Sequence, residues 1–391
     1  MCGIAGIFDY RGRAEIDRTL LRRMTDILSH RGPDGDGHHI EPGIGLGHRR
    51  LAIVDLATGD QPSFNEDGTI CVVYNGEIYN FQPLMAELAA LGHIFRTRCD
   101  TEVIVHAWEE WGAACLDRFN GMFAFALWDA AKEVLFLARD RLGEKPLYYS
   151  FLSSGQLLFA SELKSLLLSP RVDREFDPRA IEEFFAFGYV PDLRSIYRGV
   201  RKLAPAHYLM VRRGEPPPEP RPYWDLRFLD GAPVRRDEVE EELIARLRES
   251  VRLRMIADVP LGAFLSGGAL PSQLKLPGRE GKYIFKTALE PHVRREISYL
   301  PKQGFAVPLA AWFRGPLHRR RLRETVGGPV LHDSGFFDIA TVGMLLDQHQ
   351  AGERDHSAAL WWLSMIEAFL RQVHGGAIGE DIQAETVGDA V

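Results

Sequence analysis

Apolar and polar positions alternate in two different ways along the chain. Through residues 1–213, short apolar runs are interleaved with stretches of helical period. Segments 3–8, 46–54, 70–74, 122–128, 134–138, 146–149 and 157–160 read as strands, since each is short, apolar or aromatic, and bounded by turn-forming residues. The spacing predicts helices over 16–28, 80–91 and 101–111, with Asn80 as an N-cap and Gly92 as a stop. Runs of strands, some close enough to pair as hairpins, predict a layered α+β domain rather than a doubly wound sheet.

The pattern changes after residue 212. Prolines at 216, 217, 218, 220 and 222 can sustain neither a helix nor a central strand, so this stretch reads as a surface loop or linker. Beyond it come a charged amphipathic helix over 237–256, a buried strand over 259–265 and the turn Ser266-Gly267-Gly268. From Lys282 onward the chain is mostly helical, most clearly over 338–350 and 356–373, and no internal repeat is visible. The expected organisation is a domain over 2–213, a proline-rich linker over 214–234 and a second domain over 235–391.

Composition narrows the class. At 391 residues and 46% apolar content, the chain can fill two or three cores. A net charge of −7, from 47 basic and 54 acidic side chains, gives no electrostatic reason to bind nucleic acid or an anionic membrane. No apolar run approaches the ~18 residues of a membrane span, and Asp9 interrupts the first apolar stretch before a signal core can form, so the cytoplasm is expected. Cys2, Cys71, Cys99 and Cys115 have neither metal-site spacing nor the density of a disulfide scaffold. They are expected as free thiols, with no metal-ligating set.

Cys2 stands apart because removal of Met1 would put a thiol and a free α-amine on one residue. An α-amine titrates near about 8, so it can take the thiol proton and later return it to a leaving amine. Nucleophile and base then come from the same residue. By itself a Met-Cys start equally describes a small buried side chain.

Five motifs follow in order: Cys2-Gly3-Ile4-Ala5-Gly6-Ile7-Phe8, His30-Arg31-Gly32-Pro33-Asp34-Gly35, Arg50-Leu51-Ala52-Ile53-Val54-Asp55, Tyr74-Asn75-Gly76-Glu77-Ile78-Tyr79-Asn80 and Asp100-Thr101-Glu102-Val103. This order resembles the glutamine-dependent amidotransferases of the N-terminal-nucleophile type, and within them the asparagine synthetase branch. The resemblance implies a four-layer αββα glutaminase domain, with L-glutamine as substrate and no cofactor for its hydrolysis. Cys2 is then the nucleophile. Asn75, through its side-chain N–H, and Gly76, through its backbone N–H, suit the oxyanion of a tetrahedral intermediate. Arg50 suits the substrate carboxylate, Asp100 helped by Glu77 suits its ammonium, and Ile53 completes the glutamine site. Read alone, Asn75-Gly76 is a hairpin turn, Arg50 a solvated charge in a basic run with His48 and Arg49, and Asp100 an N-cap. Arg49 is expected as a surface charge, His30 as part of a loop, and the signature running from Arg139 through Asp140 and Lys145 to Tyr149 as structural support.

In the second domain the resemblance implies an α/β ATP-pyrophosphatase fold that binds ATP, Mg2+ and aspartate. Asp258 to Gly268 match the lead-in to the pyrophosphatase loop, so Leu265, Ser266, Gly267 and Gly268 are the expected ATP contacts, joined by Lys302 in Pro301-Lys302-Gln303-Gly304-Phe305. The loop's acidic residue is missing, because Ala269-Leu270-Pro271-Ser272 stands in its place, and the second acidic loop is absent. Residues 269–374 instead resemble a displaced C-terminal piece. An internal deletion near 269 is expected, leaving a truncated, mostly helical remnant and an incomplete ATP and Mg2+ site. Residues 308–315 and 355–361 look most like the branch associated with exopolysaccharide and exosortase systems. Three functional readings follow: a working glutaminase with a defective ligase, an amidotransferase acting on another acceptor, and a non-catalytic truncated product. A homodimer stays open.

Overall fold

The structure, a computed structural model, describes residues 1–227, 236–260 and 307–375. In chain order it shows β1 (Gly3–Asp9), α1 (Arg18–Asp26), β2 (Gly35–Glu41), β3 (Ile44–Arg50), β4 (Ser63–Phe64), β5 (Ile70–Ile78), α2 (Phe81–Ala90) and α3 (Asp100–Trp111). There follow α4 (Cys115–Arg118), β6 (Gly121–Asp129), β7 (Val134–Arg139), β8 (Tyr148–Phe151), β9 (Gln156–Ala160), α5 (Leu163–Leu166) and α6 (Pro178–Phe187). The short β10 (Arg201–Lys202), β11 (His207–Arg212) and β12 (Arg221–Pro222) complete the sheets.

Two six-stranded sheets form, in the orders β10-β8-β9-β1-β3-β2 and β12-β11-β7-β6-β5-β4, with every pairing antiparallel. Strand alternation explains how they stack. Along β1, Ile4 and Phe8 face the second sheet, whereas Ala5 and Ile7 face α1 and α5. Along β6, Ala124, Ala126 and Trp128 enter the space between the sheets, while Phe123, Phe125 and Leu127 pack against α2 and α3. Both faces of the central strands are thus buried, which is why they read as continuous apolar runs. The order of layers is helix, sheet, sheet, helix, as the resemblance implies.

The differences from expectation are local. The expected strand over 46–54 ends at Arg50, where both of its partners stop pairing. β2, with the polar sequence Gly35-Asp36-Gly37-His38-His39-Ile40-Glu41, carries no apolar signal because it lies at the sheet edge and is only partly buried. Asn80 sits at the N-cap of α2, but its side chain bonds elsewhere, to Arg118 O and Asn120 N. The proline-rich stretch runs over the surface with both flanks anchored, through Gly214 N to Tyr10 O at 2.7 Å and Tyr223 OH to Arg139 O at 2.8 Å.

After Pro222 the described residues form helices: α7 (Arg236–Leu253), α8 (Leu309–Arg314), α9 (Pro316–Val326), α10 (Pro329–Asp333), α11 (Ile339–Ala351) and α12 (Ser357–Phe369). α8 to α12 share an apolar core with α6, built on Ile181, Phe313, Val326, Leu346, Leu360 and Ile366. Residues 261–306, including Leu265, Ser266, Gly267, Gly268 and Lys302, lie outside the described residues. No described helix is long and apolar enough to cross a membrane.

Candidate active site

A pocket of about 180 Å3 opens where the two sheets meet the N-terminus of α3. This is below the roughly 300–1,000 Å3 usual for drug-sized ligands and suits a single amino acid. Cys2 enters it from the start of β1, Arg50 and Ile53 from the end of β3 and the loop after it, Asn75, Gly76 and Glu77 from β5, and Asp100 from the start of α3. All seven residues expected at the glutamine site therefore line one cavity, although they are spread over 99 positions of sequence from 2 to 100.

The Cys2 thiol accepts a hydrogen bond from Leu51 N at 3.3 Å, and burial pushes it above its ordinary pKa. Its backbone is held by Arg31, whose Nε donates to the Cys2 carbonyl at 2.9 Å while Nη1 pairs with Glu162. The His30 ring also meets Glu162, at 2.9 Å, so the motif around it acts as a loop brace, as expected. The free amine in this structure belongs to Met1, and burial lowers its pKa.

Asn75 and Gly76 do not form a turn; they sit inside β5, paired with Ala124 and Phe123. The Asn75 side chain is buried, and both its Nδ2 and Oδ1 lack a partner. Such a group costs about 1–3 kcal/mol to bury unpaired, so it is the strongest sign of a ligand position in the cavity. Gly76 also answers a steric demand. A Cβ there would lie 2.2 Å from Met122 O and 2.7 Å from Phe123 Cα, against rigid backbone.

Asp100 is the first residue of α3 and not its N-cap, which is Cys99. Its Oδ2 accepts from Tyr74 OH at 2.7 Å and Ile78 N at 2.8 Å. Burial raises its pKa, and burial together with the Asp100 charge raises that of half-buried Glu77. Two carboxylates that each disfavour the other's ionisation form a natural seat for a cation. Arg50 is not solvated: its guanidinium donates to Asp60 Oδ1 at 2.7 Å, Asp55 O at 2.6 Å and Leu56 O at 3.3 Å. The carboxylate it holds belongs to the exposed Asp60.

The rest of the basic run also departs from expectation. Arg49 is half-buried and pairs with Asp36 at 3.4 Å. His48 is fully buried, with Nε2 3.2 Å from Tyr74 O, and burial holds its ring neutral with a pKa of about 3. It ties the two sheets together behind Asn75.

Lys145 is a pocket residue that the sequence reading assigned only to structural support. Asp140 accepts from Glu144 N at 2.9 Å and Lys145 N at 3.0 Å, while buried Arg139 donates to Lys145 O at 2.7 Å. These two charges shape the loop that presents the lysine, whose pKa burial lowers. The Arg139–Tyr149 signature was the available clue. The rim also receives residues from beyond α7, since Asp258 N donates to Ile53 O at 2.9 Å and Asp258 Oδ2 accepts from Asp55 N at 2.7 Å.

Comparison with known proteins agrees with this geometry. Residues 1–224 match the family model described as a glutamine amidotransferase domain, and residues 242–269 and 269–371 match asparagine synthase in two pieces. A Bacillus subtilis protein named asparagine synthetase [glutamine-hydrolyzing] 2 is 39% identical over 280 residues, covering 68% of this chain and 37% of its own length. Amidase chyE of Penicillium rubens is 36% identical over 287 residues, covering 68% and 41%. The chain thus spans less than half of these relatives. Among solved structures, a glutamine phosphoribosylpyrophosphate amidotransferase from B. subtilis aligns at 21% identity with a TM-score of 0.39, over 54% of this chain and 47% of that one.

Proposed function

This chain belongs to the glutamine amidotransferase domain family, in its asparagine-synthetase-like form, and on that premise we propose that its first domain hydrolyses L-glutamine to glutamate and ammonia. The observation that carries the reading is the Asn75 amide, buried without partners and lining the same amino-acid-sized pocket as Cys2. Glutamine would place its carboxylate on Arg50, displacing Asp60, and its ammonium between Asp100 and Glu77. Once Met1 is removed, the Cys2 amine takes the thiol proton and sulfur attacks the side-chain carbonyl carbon. The carbonyl electrons move to oxygen, which Asn75 Nδ2 and Gly76 N–H stabilise. Collapse breaks the C–N bond, the amine returns its proton to the leaving ammonia, and water hydrolyses the thioester. Ile53 closes one wall of the pocket.

The second domain is a reduced asparagine synthase region whose amide-forming reaction with aspartate, ATP and Mg2+ is defective. Two matched pieces that abut at residue 269, directly before Leu270 where the acidic residue is expected, support an internal deletion there. The acceptor of the ammonia is not fixed by similarity, since relatives named asparagine synthetase and amidase both align; the exopolysaccharide branch is one candidate acceptor class. Glutamate release by the purified chain, lost in Cys2→Ala and kept in Cys71→Ala, tests the proposal. Equal release by the Cys2 variant refutes it.

A further inference from the structure

Along α3, beyond the pocket residues Asp100 and Thr101, four side chains converge from three segments: Glu66 from the β4–β5 turn, His93 from the loop after α2, and His106 and Glu109 from α3. One ligand atom from each lies within 4.8 Å of all the others. His106 Nδ1 is 3.2 Å from Glu109 Oε2 and 3.6 Å from Glu66 Oε2, and His93 Nδ1 is 3.6 Å from Glu109 Oε2 and 3.8 Å from Glu66 Oε1. A tetrahedral zinc ion with bonds of about 2.0–2.1 Å separates its ligands by about 3.3–3.4 Å, and the four histidine–carboxylate separations lie within about 0.5 Å of that.

The surroundings also fit a metal better than paired side chains. Glu66, Glu102, Glu109 and Glu110 all face the two imidazoles, so even two imidazolium rings leave excess negative charge. The nearby Arg96 guanidinium donates to the Glu66 backbone carbonyl at 2.8 Å. His106 is fully buried, and its Nε2 has no hydrogen-bond partner, with Glu102 Oε1 behind it at 3.7 Å. Glu102 is itself fixed by Arg96 N and Thr97 N at 2.8 and 2.7 Å, and Glu109 Oε1 by Asn65 Nδ2 at 2.8 Å. A carboxylate behind a ligating histidine and a hydrogen bond to a ligating carboxylate are the usual outer supports of a metal. Glu66, His93 and Glu109 keep partial exposure, which gives an ion access.

We propose that Glu66, His93, His106 and Glu109 bind one divalent transition-metal ion of the zinc type, closed by four protein ligands. The ion would clip the loop of residues 92–99 to α3 and so fix the approach to Asp100. The site was not visible in sequence because its ligands span 44 positions and include no cysteine. It stands independently of the glutaminase reading.

The test uses the full chain carrying Cys2→Ala, so that the partly exposed thiol cannot bind metal. After chelation and dialysis against Zn2+, one ion per chain is expected, and Co2+ should give a tetrahedral visible spectrum without a thiolate band. His93→Gln and Glu109→Gln should each weaken Zn2+ binding at least tenfold, and Glu102→Gln by about 10–100-fold. His38→Gln, on β2 of the other sheet, should leave it unchanged. Should a variant fail to fold, the parent alone decides: Zn2+ must raise its Tm and EDTA reverse the gain. Absence of retained zinc, a Tm indifferent to Zn2+, or stoichiometric binding that survives both His93→Gln and Glu109→Gln would overturn the site.

Discussion

Replacing Asn75 by alanine separates a residue that builds the fold from one that serves the reaction. The side chain is 1% exposed, and neither Nδ2 nor Oδ1 has a partner, so the folded protein loses no hydrogen bond with it. Removing an unpaired buried amide relieves about 1–3 kcal/mol of desolvation, while the small cavity left behind costs about 24 cal/mol per Å3. These terms have opposite sign and similar size. The net change in stability should stay within about 1 kcal/mol, or about 2–4 °C in Tm for a domain of this length. Catalysis should respond differently. Loss of one oxyanion donor removes about 2.7–4 kcal/mol from the transition state, so kcat should fall by about 10²–10³. KM should hardly move, because the donor acts only once negative charge has developed on oxygen. The assay is glutamate release over a range of glutamine concentrations, with thermal unfolding of the same samples. A kcat within tenfold of the parent at unchanged Tm would show that Asn75 does not face the developing oxyanion. A Tm loss above about 10 °C would show that the amide is structurally partnered after all.

Three further outcomes follow from the site. Asp100→Asn should raise KM for glutamine and also raise Tm near neutral pH: the folded-state pKa of Asp100 is raised by burial, so its ionisation subtracts stability as pH rises above the ordinary carboxylate range. The Tm gain should vanish near about pH 4, and a gain equal at both pH values would refute the assignment. Asp60→Asn removes the exposed carboxylate that Arg50 now holds at 2.7 Å, and KM should fall by up to about fivefold, the range of a surface ion pair; a tenfold rise would mean that Asp60 positions Arg50 for substrate. Supplied with aspartate, ATP, Mg2+ and ammonia, the purified chain should make no asparagine, and pyrophosphate release dependent on aspartate would contradict the internal deletion.

Much of the first domain was legible because its central strands are buried on both faces. Apolar runs such as Val72-Val73-Tyr74 and Phe123-Ala124-Phe125-Ala126-Leu127 can be little else when both sides pack. The edge strand β2 was not legible, since a strand that is only partly buried carries no apolar alternation. The site residues were visible as motifs, but their partners were not. Asp60 on Arg50, Tyr74 on Asp100 and Arg31 on the Cys2 carbonyl are contacts between segments apart in sequence that no spacing rule encodes. Lys145 lay in a recognised signature, yet only the folded loop shows that Arg139 and Asp140 aim it inward.

The disagreement between local chemistry and fold at Asn75-Gly76 is the most informative. Asn-Gly is a strong hairpin signal, yet Asn75-Gly76 runs straight through the middle of β5, a nine-residue strand. An apolar residue at 75 would suit a buried strand better than an amide with no partner, and only the approach of the Met122 carbonyl explains why 76 must be glycine. Tertiary pairing with β6 therefore overrides the turn preference at a cost in stability that packing does not recover. Such a conflict persists where the unpaired group has work outside the folded state's own bonding. The same reasoning applies to buried Asp100 and half-buried Glu77, two neighbouring acids that a fold alone would separate, and all three converge on the cavity that holds Cys2.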